Sequence, residues 1–174
     1  TRQEEMDWAE AHGVTVPTTK SKPYSIDDNL WGRAIECGVL EDPMNRPPLD
    51  IYTMTTDPEK APDEATEIEI EFKAGLPVAI DGEEMSYLDI IAKMNEIAGA
   101  NGFGRIDMIE NRMIGVKSRE CYEAPGALAL IEAHRGLEDM CLEREVLRYK
   151  LHIEHDWATL VYNGQWFSPL KHAM

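Results

Sequence analysis

The chain is short of cysteine, of aromatic residues and of basic charge, and it has no long apolar run. Its three cysteines, Cys37, Cys121 and Cys141, are odd in number, widely spaced and free of any Cys-x-x-Cys pair. That usage fits unpaired thiols in a reducing compartment and argues against a disulfide framework. The longest apolar runs, Leu76-Pro-Val-Ala-Ile80 and Ala127-Leu-Ala-Leu-Ile131, fall far below the roughly 18 residues of a spanning helix. No membrane partner is expected. Nothing near Thr1 resembles a basic segment followed by an apolar stretch and a cleavage site, so a cytoplasmic location is expected. Lys and Arg number 17 against 33 Asp and Glu, a net charge of −16. A surface of that sign repels phosphate backbones, which counts against nucleic acid as a partner.

What is present is an ordinary globular composition, 43% hydrophobic and 29% charged over 174 residues, enough for one sizeable core. The absence of Met at Thr1 and the abrupt end at Met174 read as a piece of a longer protein. Arg2 to His12 reads as a short helix stopped by Gly13, with a brief strand at Val14 to Val16. Pro17 to Pro23 reads as a connection, with a boundary near Lys20. Tyr24 to Pro48 is broken by Gly32, Gly38, Pro43 and Pro47-Pro48 and reads as loop-rich. Glu67 to Phe72 alternates with period two, which predicts a strand with Ile68, Ile70 and Phe72 on one face. Gly75 then permits a turn into a second strand, Pro77 to Ile80, closed by Asp81-Gly82.

Ser86 and Asp89 have capping-box spacing before Tyr87, Ile90, Ile91, Met94, Ile97 and Ala98, which predicts a helix ending near Gly99. The glycine-rich Gly99 to Gly104 follows a helix and reads as a cap and turn, not a dinucleotide loop. Two strands are expected at Arg105 to Glu110 and Arg112 to Val116. Ala124 to Cys141 reads as a helix with Leu128, Ile131 and Leu137 inward. Leu142 to Val161 reads as another, striped by Val146, Tyr149, Ile153, Trp157, Leu160 and Val161. The predicted class is α+β, an antiparallel-type sheet packed with helices.

Chemistry-bearing signals are sparse. His152-x-x-His155 with Asp156 lacks a third ligand at a recognised spacing and reads as a solvated helix face. No Gly-x-Ser-x-Gly elbow or paired Cys and His is present, so no catalytic residue and no metal ligand is assigned. The stretch from Gly104 to Pro125 interleaves Arg105, Asp107, Glu110, Arg112, Lys117, Arg119 and Glu123 with apolar residues. Those charges need partners, either a bound zwitterion or an internal ion-pair network that fixes strand register.

Longer blocks carry more information. Tyr24-Ser-Ile-Asp-Asp-Asn-Leu-Trp-Gly-Arg33, Glu36-Cys-Gly-Val-Leu-Glu-Asp-Pro43, Gly102-Phe-Gly-Arg-Ile-Asp-Met-Ile-Glu-Asn-Arg112, Gly115-Val-Lys-Ser-Arg119 and Tyr122-Glu-Ala-Pro125 occur in this order. They strongly resemble the argininosuccinate synthase family. The resemblance implies the family's synthetase and multimerisation domain over residues 21–162. Residues 1–20 would be the end of the nucleotide-binding domain, and 163–174 the start of the oligomerisation segment. It implies a cytoplasmic ligase that joins citrulline to aspartate with release of AMP and diphosphate, in arginine biosynthesis or the urea cycle, and that works as a homotetramer. ATP with Mg would be bound mainly outside this chain, since the family's Ser-Gly-Gly-Leu-Asp-Thr-Ser loop is absent from it. Citrulline contacts would fall on Ser25, Ala34, Glu110 and Tyr122. Many members carry Ser where this chain has Ala34, so one hydroxyl is missing, and Glu120 stands where some have Gly. The alternative is a stand-alone citrulline-binding or oligomerisation module without catalysis.

Overall fold

The computed structural model describes residues 2–16 and 23–174. The connection around Lys20 lies outside these. A first helix, α1 (Arg2–Ala11), ends in the turn containing Gly13, and Val14 to Val16 follow without strand pairing. The brief strand expected there is not formed, because among the described residues no neighbouring strand pairs with it.

The largest departure from the sequence reading is at Tyr24 to Cys37, which is a β-hairpin and not a loop. Strands β1 (Tyr24–Asn29) and β2 (Gly32–Cys37) pair antiparallel from Tyr24 opposite Cys37 to Asn29 opposite Gly32. Irregular chain begins only at Gly38, with single 3-10 turns at Gly38–Glu41, Leu49–Ile51 and Pro58–Lys60. The strands β3 (Ile70–Lys73), β4 (Leu76–Ile80) and the short β5 (Glu83–Glu84) form a three-stranded antiparallel meander. The strand expected from Glu67 is therefore shorter, and Asp81-Gly82 turns the chain into a third strand instead of ending the pair.

Helix α2 (Tyr87–Ala100) starts as its capping box dictates: the Asp89 amide donates to Ser86 Oγ at 3.2 Å, and Ser86 Oγ donates to Asp89 Oδ2 at 2.6 Å. The next strands are β6 (Arg105–Asn111) and β7 (Lys117–Glu123). The second lies further on than the expected Arg112 to Val116. Those residues make the turn, closed by Gly115 donating to the Arg112 carbonyl at 2.8 Å. Helices α3 (Pro125–Cys141), α4 (Arg144–Tyr162) and α5 (Pro169–Ala173) follow.

The main sheet runs β1-β2-β7-β6, antiparallel throughout. Its topology brings the hairpin of residues 24–37 beside the hairpin of residues 105–123, and this juxtaposition builds the site. Two glycines make the close approach possible: a Cβ on Gly32 (φ +151°) would sit 2.0 Å from the Glu123 carbonyl oxygen, and one on Gly104 (φ +110°) 2.2 Å from Pro125 Cα.

The chain divides into two compact units, residues 1–130 and 131–174. In the first, Ile35, Leu40, Ile51 and Cys121 form one apolar cluster with Tyr24 and Tyr52, on one face of the main sheet. Ile80, Ile90, Ile91, Met94 and Leu130 form a second, between the meander, α2 and the start of α3. On α3 the buried residues are Pro125, Gly126, Ala127 and Leu130. Ile131 and Leu137, expected inward, are 47% and 39% exposed, the apolar spacing running on past Leu130, where the buried positions of α3 end.

In the second unit α4 buries Leu160 alone. The expected stripe is there geometrically, but Val146, Tyr149, Ile153 and Trp157 line an open groove with Lys150 and Glu154. Trp157 meets Trp166 edge to face at 5.9 Å between ring centroids, and Lys171 Nζ stands over both rings. Among the described residues no helix is long and apolar enough to cross a membrane.

Candidate functional site

Side chains of directly opposed residues in antiparallel strands lie on the same face. Ala34 of β2 is opposite both Asp27 of β1 and Tyr122 of β7, and Tyr122 is opposite Ile106 of β6. Ser25 is opposite Glu36, Met108 opposite Glu120, and Glu110 opposite Ser118. Period-two alternation then places Ser25, Ala34, Glu110 and Tyr122 on one face, all four of the expected citrulline contacts. The other face carries Ile35 and Cys121 into the core. Ser25 and Glu110 stand on the two outer strands, three strand spacings or about 14 Å apart between backbones. A ligand touching both must lie across the strands.

The face is polar and acidic. Arg112, just beyond β6, gathers three carboxylates: its Nε donates to Glu110 Oε2 at 2.6 Å, and its Nη2 to Glu36 Oε2 and Glu120 Oε1, each at 3.2 Å. The Tyr122 hydroxyl donates to Glu120 Oε2. Glu120 is only 6% exposed. Burial pushes its carboxyl above the ordinary carboxylate range, and the neighbouring Glu110 adds to that push against the opposing bonds from Tyr122 and Arg112. The Tyr122 phenol is also pushed up, by burial first and by Glu120 second. The Arg112 guanidinium is held charged, chiefly by Glu110. The Ser118 hydroxyl, on the strand position opposite Glu110, is buried without a hydrogen-bond partner.

The sequence reading placed Arg112 among charges that need partners but did not place Glu36, Ser118 or Glu120 in the site. The signal that could have found two of them is parity: Ser118 and Glu120 are in phase with Tyr122 on one strand. The internal network weighed as an alternative also exists. On the opposite face Arg119 forms a fork with Asp107, at 2.7 and 2.6 Å, and the Asp107 carboxyl is held below its ordinary range, chiefly by that contact. Arg105 donates to Thr55 Oγ1 and the Thr55 carbonyl at 2.7 and 3.0 Å and stacks over Tyr52.

Glu123 anchors the whole arrangement. It is fully buried, and its carboxylate accepts from the amides of Thr53, Met54 and Thr55 at 2.9 Å each, from Thr55 Oγ1 at 2.7 Å and from Arg33 Nη1 at 2.9 Å. Arg33 donates as well to Asp28 Oδ1 at 3.1 Å. Glu123 thus ties β7, β2 and the irregular segment at Thr53 to Thr55 into one body beneath the polar face.

Fold and face together define an α+β domain whose antiparallel sheet presents a cluster of polar and acidic groups gathered around one arginine. Residues 24–174 match the family model for the arginosuccinate synthase C-terminal domain. The chain is 57% identical over 173 residues to the argininosuccinate synthase of Chlorobium luteolum and 56% identical to that of Chlorobaculum tepidum. In each case the match covers 99% of this chain and 43% of the relative. The chain belongs to the argininosuccinate synthase family and corresponds to its C-terminal domain.

Proposed function

We propose that this chain is the synthetase-domain portion of an argininosuccinate synthase, in which citrulline and aspartate are joined at the expense of ATP, with release of AMP and diphosphate. The observation that supports this best is the gathering of Ser25, Ala34, Glu110 and Tyr122 on one sheet face around Arg112. A carboxylate at Glu110 matches the ammonium group of an amino acid, while hydroxyls at Ser25 and Tyr122 match its polar oxygens. Binding energy of this kind serves to hold the substrate in a productive pose.

ATP and Mg do not fit this face. Three carboxylates against one guanidinium repel a triphosphate, and among the described residues no group of three His, Cys, Asp or Glu is placed to hold a metal ion. No nucleotide step is therefore assigned to these residues, and the chain alone should not release AMP from ATP, citrulline and aspartate.

The direct test is a chimera in which this chain replaces the matching 43% of the Chlorobium luteolum enzyme. The chimera should form argininosuccinate, and its Glu110→Gln form should lose that activity. A folded, inactive chimera would overturn the reading.

A second reading, an oligomerisation module, is favoured by the apolar surface of the second unit, where Tyr149 is 67%, Trp166 47% and Phe167 84% exposed. The homotetramer proposed for the whole enzyme would cover such surface. Sedimentation of the chain checks this, and a clean monomer at high concentration would count against a surviving interface.

A further inference from the structure

Glu120 is a buried acid beside the group proposed to recognise the substrate ammonium. Its two carboxyl oxygens are held separately, Oε2 by the Tyr122 hydroxyl and Oε1 by Arg112 Nη2, and Glu110 is held by the Nε of the same guanidinium. On the shared face Glu110 stands one diagonal step from Glu120, and the two carboxyl groups are drawn together by the Nε and Nη2 of the one Arg112 guanidinium. The titratable and charged groups on this face around Glu120 are Glu36 of β2, Glu110 of β6, Arg112 just beyond it and Tyr122 on β7 itself, with Asp27 of β1 two strands away. One cation therefore serves three nearby carboxyls.

Resting on the proposed function, we propose that Glu120 is a positioning residue that shares one proton with Glu110, so that docking of a substrate ammonium at Glu110 expels that proton to solvent. Two carboxyl groups held on one guanidinium repel each other when both are ionised, and a shared proton relieves that repulsion. An arriving ammonium group supplies the missing positive charge, and the proton is then no longer needed. By holding the Tyr122 hydroxyl, Glu120 also fixes the orientation of that side chain. Where the pair holds its proton, each unit of falling pH should weaken ammonium binding by up to about tenfold, as linkage of one proton requires.

The experiment is a carboxyl-carbon NMR titration of the ligand-free chain, wild type against Glu120→Gln and Glu110→Gln. Wild type should show two coupled inflections for these glutamates, separated by more than about one pH unit. Each variant should reduce the remaining glutamate to a single inflection. Independent titration of both groups in the ordinary range would overturn the proposal whatever the ligand does. Calorimetry of citrulline in buffers of different ionisation enthalpy provides the second readout, with proton release in wild type and none in Glu120→Gln. A buffer-independent heat in wild type would also overturn the proposal. Absence of any citrulline heat beside an intact coupled titration would instead count against citrulline as the ligand of this chain.

Discussion

Glu120 and Glu123 lie three residues apart on β7, both buried, on opposite faces of the sheet. Glu123 accepts five hydrogen bonds, three from consecutive backbone amides. Burial opposes its ionisation, yet the donors from Thr53, Thr55, Met54 and Arg33 prevail and hold its carboxyl below the ordinary range. Glu120 has two donors and a second carboxyl as neighbour, and is pushed above the range. Glu123 is the more deeply buried of the two and is still held down, so the donors around it, and the second carboxyl beside Glu120, decide the outcome. A carboxylate saturated by donors is a structural fastener, whereas one left short of positive charge can respond to a ligand.

The comparison is broken most severely at Glu123. Glu123→Ala takes the shared acceptor from three backbone amides and removes the buried partner of Arg33, which keeps Asp28, and should cost about 3–5 kcal/mol, read by denaturant unfolding. Acid titration of stability should separate the two residues next. Glu123 has a folded-state pKa below its unfolded value near 4.5, so its contribution is complete above that value and is lost as pH falls through the lower, folded one. Glu120 has a folded pKa above its unfolded value, so the folded state binds its proton more tightly, and that contribution is lost as pH rises through the folded pKa. Glu120→Gln should remove the second slope and keep the first. Tyr122→Phe deletes one donor to Glu120 and should weaken citrulline binding by roughly 2- to 10-fold, as one hydrogen bond worth about 0.5–1.5 kcal/mol implies. Ala34→Ser places a hydroxyl on the strand position opposite Tyr122. It should strengthen citrulline binding by at most the same factor, read by the same calorimetry.

What was legible in the sequence is what is locally encoded. Helix α2 declares itself through Ser86, Asp89 and an apolar face that ends at Gly99. The meander declares itself through the alternation before Gly75. The β1-β2 hairpin escaped because Ser25, Asp27, Ala34 and Glu36 face the polar site, so neither the period nor the hydrophobicity of a strand stands out there. Its second strand also pairs with β7, nearly ninety residues later in the chain, which no local pattern announces. The end of the β6-β7 hairpin was misplaced because Met113, Ile114 and Val116 look like strand residues, while Gly115 makes a turn with all three exposed. The α4 stripe was real in spacing, but spacing alone does not say whether an apolar face is covered. The family was legible through its motif blocks, whose identities survive where periodicity does not. Glu123 was seen only as one charge among several. Its place on the core face follows from its parity with Cys121, and its five donors come from a distant loop that no local pattern announces.

The central claim is that this sheet face is a preformed part of an amino-acid site. Calorimetric titration of citrulline into the chain, wild type beside Glu110→Gln, tests it most directly. The account predicts a measurable heat for wild type and its loss in Glu110→Gln while the variant remains folded. Equal heats from the two proteins, or none from either, would contradict it.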